Sequence, residues 1–258
     1  MVAPAQTLAV YNVPAKLLDQ FRGCDVIVRS ASPQELVDRL KSVENVRVRF
    51  LQFSATTEDT SCLESCGTGI PLDIVLHDPA SQYQQLYSYS NLLDTHPIRI
   101  TIPVVPGFSK AVKLAISLQF AVKLDVQQPD EALLRELESV LEFYLHRSVV
   151  NQSIEFFHSL LFSFYRNEPA SLWEITEKDP ALVRYVSAAG DEALKQAEER
   201  IECHGCEFLD RCRSYFKYPD ANYNCDGIKR VFRSLANAAA EVKHDLETYT
   251  ATEVVAQS

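Results

Sequence analysis

The first 130 residues of this chain alternate short apolar runs with helical segments, and this alternation limits the folds that the chain can adopt. Six runs have the length and pattern of strands: residues 7–11, 25–29, 46–53, 72–76, 97–103 and 120–126. Helical segments lie between them, and one begins at Ser32, where Pro33 and Glu35 complete a typical helix start. Strands joined through helices are expected to be parallel. The pattern therefore predicts an α/β fold, either a partial (β/α)6 barrel or a doubly wound open sheet.

In both architectures, ligands bind beyond the carboxyl ends of the strands. The residues expected at that edge are Asn12, Ser30, the loop that begins at Ser54, His77, Asp78, Val104, Val105, Pro106, Gln127 and Gln128. The loop over residues 54–69 is the longest stretch without a predicted element in the first half of the chain. Long loops of this kind are often functional.

After Asn151 the alternation stops and no further strand is predicted. Residues 152–166 have the pattern of an apolar helix, residues 191–200 that of a charged helix, and residues 227–247 that of a helix with one apolar face. The predicted organisation is a barrel-like domain over residues 1–150, a helical connector over 151–200, and a cysteine-rich region with a C-terminal helix over 201–258.

Composition and charge exclude several classes of function. The formal charge of −10, from 25 basic and 35 acidic residues, opposes a general attraction to nucleic acid, which needs an excess of Lys and Arg. The seven glycines form neither G-x-G-x-x-G nor G-x-x-x-x-G-K, so neither of these phosphate-binding loops is expected. The sequence has no signal segment at its N-terminus and no apolar run long enough for a bilayer, which predicts a cytoplasmic protein.

Four of the seven cysteines lie within 23 residues and form the strongest functional signal in the sequence. They are Cys203, Cys206, Cys212 and Cys225, with the spacing C-x2-C-x5-C-x12-C. Four thiolates at such spacing suit zinc or an iron–sulfur cluster. The alternative, a set of disulfides, is disfavoured by the odd number of cysteines and by the reducing compartment. The aromatic residues between the third and fourth cysteines, Tyr215, Phe216, Tyr218 and Tyr223, are expected to shield the site from water.

Other candidate residues give weaker signals. Cys62 and Cys66 form a C-x3-C pair, but Gly69 stands where a third cysteine would complete C-x3-C-x2-C. Two cysteines in a loop are weak evidence for a metal. His158 lies on the apolar face of a predicted helix, which favours a hydrogen-bonded core residue over a ligand. His77 follows a strand, but ordinary turn chemistry explains it equally well.

The cysteine segment resembles the C-terminal SPASM region of radical SAM enzymes that modify peptides. In that family, the corresponding C-x2-C-x5-C trio and a later cysteine hold an auxiliary [4Fe-4S] cluster. The resemblance thus implies Cys203, Cys206, Cys212 and Cys225 as the ligands of one cluster. The family has another cysteine four residues after the trio, where this chain has Phe216, so the second auxiliary cluster is not expected. The resemblance also implies a partial TIM-like barrel with a helical, cysteine-rich SPASM-like cap.

The chain departs from the family at the catalytic positions. Residues 12–16, after the first predicted strand, contain no cysteine, and no Gly-Gly-Glu follows the second strand. These departures imply a non-catalytic partner subunit of a radical SAM maturase of ribosomally synthesised peptides, resembling the accessory proteins of peptide spliceases. Such a subunit would bind the enzyme or the precursor peptide and carry one auxiliary cluster. Two alternatives remain: a divergent radical SAM enzyme that uses Cys62, Cys66 and a distant ligand such as Cys24, and a structural zinc module.

Overall fold

Nine strands form a single sheet in the computed structural model, which describes residues 9–54, 60–64, 69–190, 192–193 and 201–256. The strands are β1 Val10–Pro14, β2 Asp25–Ser30, β3 Arg47–Ser54, β4 Leu72–Val75, β5 Ile98–Pro103, β6 Ala121–Asp125, β7 Ile154–Glu155, β8 Val183–Val186 and β9 Glu192–Ala193. Strands β1 to β7 follow one another across the sheet in chain order and are parallel. Strand β8 pairs in parallel with the other edge of β1, and β9 pairs with β8 in the antiparallel direction.

This strand order decides between the two predicted architectures. A doubly wound sheet reverses its strand order at a switch point, whereas β1 to β7 continue in one direction. The sheet also curls. Burial raises the pKa of Tyr185 in β8 to about 12, and the carboxylates of Asp73 in β4 and Asp125 in β6 contribute to the rise. These carboxylates must therefore lie near the phenol, whereas in a flat sheet β4 and β6 would lie about 19 and 29 Å from β8. The fold is therefore an α/β half-barrel with eight parallel strands.

The helices are α1 Pro33–Ser42, α2 Ser61–Glu64, α3 Pro79–Gln82, α4 Phe108–Ser117, α5 Glu131–His146, α6 Phe157–Arg166, α7 Leu172–Ile175, α8 Leu209–Cys212 and α9 Asp226–Ala256, and short 3-10 helices cover Ala15–Phe21, Tyr83–Asp94, Ile201–Cys203 and Tyr215–Lys217. Ser32 caps α1, since its side chain accepts the N–H of Glu35 at 3.4 Å, as the sequence predicts. Asp130 caps α5 by accepting the N–H of Leu133 at 2.9 Å. Both caps fix where a helix begins after a strand.

The second half of the chain differs from its prediction. Strand β7 lies inside the segment predicted as one helix, and β8 lies where no strand is predicted. Both strands are short and gain their hydrogen bonds from distant partners, β6 and β1, so local pattern gives little sign of them. The charged helix predicted over residues 191–200 is wrong at residues 192–193, which form β9. The rest of that segment lies outside the described residues.

One continuous hydrophobic core joins the half-barrel to the cysteine region. It contains strand residues such as Ile100 and Leu124 together with Phe216 and Phe232 from the C-terminal part of the chain. Helix α9 approaches α5 so closely that a Cβ at Gly227 would lie 2.1 Å from Leu134 Cδ1. The cysteine region is thus packed directly against the end of the half-barrel. None of the helices in the described ranges is long and apolar enough to span a bilayer.

Candidate metal centre

The four cysteines at the C-terminal end of the chain line one cavity of about 370 Å³. Cys203, Cys206 and Cys212 come from one short segment, and Cys225 comes from the residue that precedes α9. All four are free thiols that are partly buried. Phe208, Phe216 and Phe232 line the same cavity, so its wall is largely apolar where it faces the core.

The first two thiols are placed by a tight turn. The N–H of Cys206 donates to the carbonyl oxygen of Cys203 at 2.9 Å, which closes the C-x-x-C turn. The N–H of Leu209 then donates to the carbonyl oxygen of Cys206 at 3.1 Å and leads the chain into α8. Cys212 is the last residue of that helix. Successive turns of one short segment therefore present three thiols to the cavity.

The turn after Cys212 brings the backbone of Tyr215 and Phe216 near its sulfur. Arg213 and Ser214 adopt left-handed conformations, with φ of 49° and 58°, at a cost of roughly 1–2 kcal/mol each. The carbonyl oxygen of Arg213 accepts the indole N–H of Trp173 at 2.9 Å, which holds this turn in place. Burial raises the pKa of the Cys212 thiol to about 12, although hydrogen bonds from the backbone of Phe216 and Tyr215 oppose the rise. Those N–H groups are suited to stabilising a thiolate that binds a metal.

Cys225 lies at the amino-terminal end of the 31-residue helix α9, where the helix dipole favours a thiolate. Its carbonyl oxygen accepts the N–H of Lys229 at 2.9 Å, and its thiol donates to the carbonyl oxygen of Tyr223 at 3.8 Å. Burial raises its pKa, the charges of Lys217 and Lys229 lower it, and Cys203 and Cys206 raise it. Cys203 and Cys206 raise the pKa of Cys225 because they lie around the same cavity, where a negative charge on one thiol opposes the ionisation of another.

The half-barrel holds the cysteine segment in place. Gln128, which follows β6, donates from Nε2 to the carbonyl oxygens of Phe216 at 2.9 Å and Asp220 at 2.7 Å, and its Oε1 accepts the N–H of Asp220 at 3.2 Å. Tyr215 donates to the carbonyl oxygen of Val126 at 2.8 Å, and Tyr223 donates to that of Pro129 at 2.7 Å. Gln128 lies beyond the carboxyl end of β6, as the sequence predicts, and there it anchors the cysteine segment.

The four aromatic residues predicted to shield the site divide into two pairs. Phe216 and Tyr223 line the cavity. Tyr215 and Tyr218 instead contact the indole ring of Trp173, with ring centroids 5.0 and 5.9 Å apart. The first pair can exclude water from the thiols, whereas the second fixes the turn that follows Cys212.

The donor set fits a soft metal or an iron–sulfur cluster, because it consists of four sulfur atoms. Over the ranges that the structure describes, no three Cys, His, Asp or Glu side chains already stand in the close arrangement of a single-ion site. The four thiols share a cavity, and metal binding would have to draw them together or fill the space between them.

The weaker candidates are placed elsewhere. Cys62 lies in α2, Cys66 lies outside the described residues, and Cys24 precedes β2 at the amino-terminal edge of the sheet. The structure therefore does not show these three as one site. His158 is partly buried, and its Nδ1 lies 2.8 Å from the Tyr144 hydroxyl, in agreement with a hydrogen-bonded core residue. His77, Ser30 and Ser54 line a second cavity, of about 460 Å³, at the carboxyl ends of β1 to β4.

A buried ion-pair network is present that the sequence analysis does not predict. It covers the polar face of the sheet, which we define by Asp73, Arg99, Thr101, Lys123 and Asp125 at alternate positions of β4, β5 and β6. Arg99 contacts Asp73 at 2.8 Å and Glu177 at 2.7 Å, and Lys123 also pairs with Glu177. Thr101 donates to Asp73 at 2.6 Å. The alternation of polar with apolar residues in β4, β5 and β6 is the sequence signal from which this polar face could have been predicted.

The network is strong enough to keep its carboxylates charged. Burial raises the pKa of Asp73, but the charge and hydrogen bonds of Arg99 and the charge of Lys123 outweigh burial and hold the pKa below 3.8. Burial likewise raises the pKa of Glu177, and Lys123 and Arg99 together hold it below 4.5. The polar face is therefore filled by paired charges from the protein itself.

Comparisons with protein-family models, with curated proteins and with solved structures find no match for this chain. The function is accordingly inferred from the residues and their geometry.

Proposed function

We propose that this protein is a metal-carrying partner subunit of a radical SAM enzyme that modifies ribosomally synthesised peptides. It binds the enzyme or the precursor peptide in the cytoplasm, and Cys203, Cys206, Cys212 and Cys225 hold one [4Fe-4S] cluster. The observation that carries the metal site is that these four thiols, from two separate segments, line one cavity. The partnership itself derives from the resemblance of the cysteine segment to the SPASM region.

The cavity has features that suit a cluster. Its volume of about 370 Å³ leaves room for one. The backbone donors at Cys212 and the cations of Lys217 and Lys229 beside Cys225 would offset the negative charge of a cluster bound by four thiolates. Hydrogen bonds to sulfur and nearby charge are the features with which proteins tune such clusters.

An exposed apolar face on α9 supports the binding of a partner. Val242, Leu246 and Tyr249 follow one another at helical spacing, and they are 47%, 50% and 64% exposed. The earlier part of the same helix buries Val231, Leu235 and other residues in the core. Apolar residues that continue along a helix beyond its own core are typical of a surface that a partner covers.

Anaerobic reconstitution with iron and sulfide tests the cluster. We expect about four iron and four sulfide per chain, with a broad absorption near roughly 400 nm, and Cys206→Ser should lose most of both. Cys24→Ser is the matched control, since Cys24 lies outside the cavity, and it should retain the cluster. A protein that binds one zinc without sulfide would refute the cluster and leave a structural zinc module as its role.

Co-purification with co-encoded proteins tests the partnership, and a radical SAM maturase should be among the proteins that bind. Leu246→Asp places a charge on the exposed face of α9 and should weaken co-purification by about tenfold or more, because burying an unpaired charge is costly. Val149→Asp is the control, since Val149 is 60% exposed and lies outside α9. Failure of the wild-type protein to bind either the maturase or its precursor peptide would end the proposal of a partner subunit.

A further inference from the structure

The cavity at the carboxyl ends of β1 to β4 is lined by an arginine for which the described part of the chain provides no carboxylate partner. Arg29 of β2 lines this cavity with Lys16, Ser30, Gln52, Ser54 and His77. The cavity shares no lining residue with the cysteine cavity. It is therefore a separate feature, and a ligand bound in it would be independent of the metal centre.

Arg29 is held by neutral oxygen atoms. Its Nη1 donates to the carbonyl oxygen of Asn12 at 2.6 Å and to Asn12 Oδ1 at 2.7 Å, and its Nη2 donates to the carbonyl oxygen of Val186. Three of the five N–H donors of the guanidinium thus have acceptors among the described residues, which leaves two for another acceptor. Within the described residues, no carboxylate forms an ion pair with Arg29.

The cations next to the polar face have carboxylate partners, whereas Arg29 has none among the described residues. Arg99 and Lys123 are balanced by Asp73 and Glu177, and Lys178 is balanced by Asp125. Arg29 is linked to Asp73 only through neutral amides, since Asn12 donates to Gln52 at 3.2 Å and Gln52 donates to Asp73 at 2.9 Å. Burial lowers the pKa of Arg29, and no carboxylate is among the causes that act on it. A partly buried charge without a counter-charge is costly.

The rim of the cavity adds a second cation. Lys16 is exposed at the start of the 3-10 helix that follows β1. The one carboxylate among the lining residues, Glu35, is exposed and accepts a hydrogen bond from the Ser30 hydroxyl. Two permanent cations therefore face one carboxylate, in a chain whose formal net charge is −10. In an acidic protein this local excess of positive charge would attract an anion.

We propose that the cavity lined by Lys16, Arg29, Ser30 and Ser54 binds the oxyanion group of a small ligand, either a carboxylate or a phosphate. The planar guanidinium of Arg29 suits both groups, since each offers two oxygens to its remaining N–H donors. Ser30 and Ser54 also line this space and contribute polar groups to a wall that is otherwise largely apolar. The carboxyl ends of parallel strands are also where this class of fold binds its ligands.

Calorimetric titration of the full chain with inorganic phosphate and with acetate tests this site, at an ionic strength held constant with chloride. At least one of the two anions should bind saturably. Phosphate alone would identify a phosphate ligand, and acetate alone would identify a carboxylate. Arg29→Met should weaken binding by about tenfold or more, because it removes charge-assisted hydrogen bonds.

If Arg29→Met fails to fold, Lys16→Met provides the test. The Lys16 side chain is exposed, and none of its described contacts supports the fold. Lys16→Met should weaken anion binding by several fold. Arg39→Met is the matched control, because Arg39 lies on α1 outside the cavity and pairs with Asp19 at 3.7 Å, and it should bind the anion as the wild type does. Saturable binding of neither anion, or binding that survives both Arg29→Met and Lys16→Met, would overturn the proposal.

Discussion

Cys212 illustrates how the fold changes the chemistry of a single side chain. Burial against Phe216 and the aromatic core raises the pKa of its thiol to about 12, so in the metal-free protein it carries its proton at neutral pH. A metal ligand must lose that proton. Metal binding at this site should therefore release protons and be favoured as pH rises. The N–H groups of Tyr215 and Phe216 would stabilise the thiolate that results.

We expect Cys212 to be the slowest thiol of the cavity to react with iodoacetamide in the metal-free protein. Relative to the ordinary thiol pKa of 9.0, a pKa of about 12 reduces the reactive thiolate fraction roughly a thousandfold at pH 8. Mass spectrometry of peptides after timed labelling measures this difference. The control is labelling in urea at about 8 M, which should unfold the protein and abolish the difference between the thiols. Equal labelling of Cys203 and Cys212 in the folded protein would contradict the assigned burial.

At the scale of elements, helix α9 joins the cysteine site to the half-barrel. It begins directly after Cys225, and Arg230 on its surface pairs with Glu131 at 2.6 Å and Glu138 at 3.0 Å on α5. The close approach of the two helices occurs at Gly227, where a side chain would meet the buried Leu134. The position of Cys225 in the cavity thus depends on how α9 packs on α5.

Gly227→Ala should destabilise the protein by about 1 kcal/mol. Alanine gains about 1 kcal/mol of helix propensity over glycine, but overpacking against Leu134 costs about 1–3 kcal/mol, because the new Cβ would stand 2.1 Å from Leu134 Cδ1. Urea unfolding of the metal-free protein measures the difference. Gly205→Ala is the matched control, since a Cβ there meets nothing within 4 Å. Unchanged or increased stability of Gly227→Ala would show that the two helices are less closely packed.

At the scale of the whole molecule, the ion pairs on the polar face connect parts of the chain that are distant in sequence. Glu177, in the segment between α7 and β8, pairs with Arg99 of β5 and Lys123 of β6. Through these contacts the second half of the chain closes over the sheet formed by the first half. The polar face is accordingly a structural centre of the molecule.

This network should make the stability of the protein sensitive to acid. The pKa values of Asp73 and Glu177 are lowered on folding, so the unfolded chain takes up protons at a higher pH than the folded protein does. The stabilisation is present above the ordinary carboxyl pKa values and is lost as pH falls from about 5 through the lowered ones. Urea unfolding from pH 7 to pH 3 should show this loss.

Glu177→Gln supplies the matching variant. It should destabilise the protein by about 3 kcal/mol at pH 7, because it leaves the buried Lys123 without its counter-charge, and it should show a smaller loss of stability below pH 5. Glu174→Gln is the control, since Glu174 is exposed one turn earlier, and should behave as the wild type. A wild-type stability that does not change between pH 5 and pH 3 would mean that the network contributes little.

Local sequence predicts the elements whose signals lie within a few residues. Residues 32–35 predict the start of α1 because the cap, the proline and the acidic residue act on one helical turn. Strands β2 to β6 are predicted to within one or two residues because each has its own apolar pattern, whereas β1 ends at Pro14, three residues beyond the predicted end. The first two residues of that predicted strand, 7 and 8, lie outside the described residues. Strands β7 and β8 are missed, since pairing with β6 and β1 stabilises segments too short to show a pattern.

The sequence by itself determined the α/β class, the parallel strands and the cysteines most suited to a metal, because periodicity and spacing are local properties of the chain. The tertiary structure decided the direction in which successive strands are added, the shared cavity of Cys225 with Cys203, Cys206 and Cys212, and the pairing of Glu177 with Arg99 and Lys123. It also decided that Arg29 has no carboxylate partner among the described residues. Each of these depends on which distant side chains burial brings together, and spacing along the chain does not encode that choice.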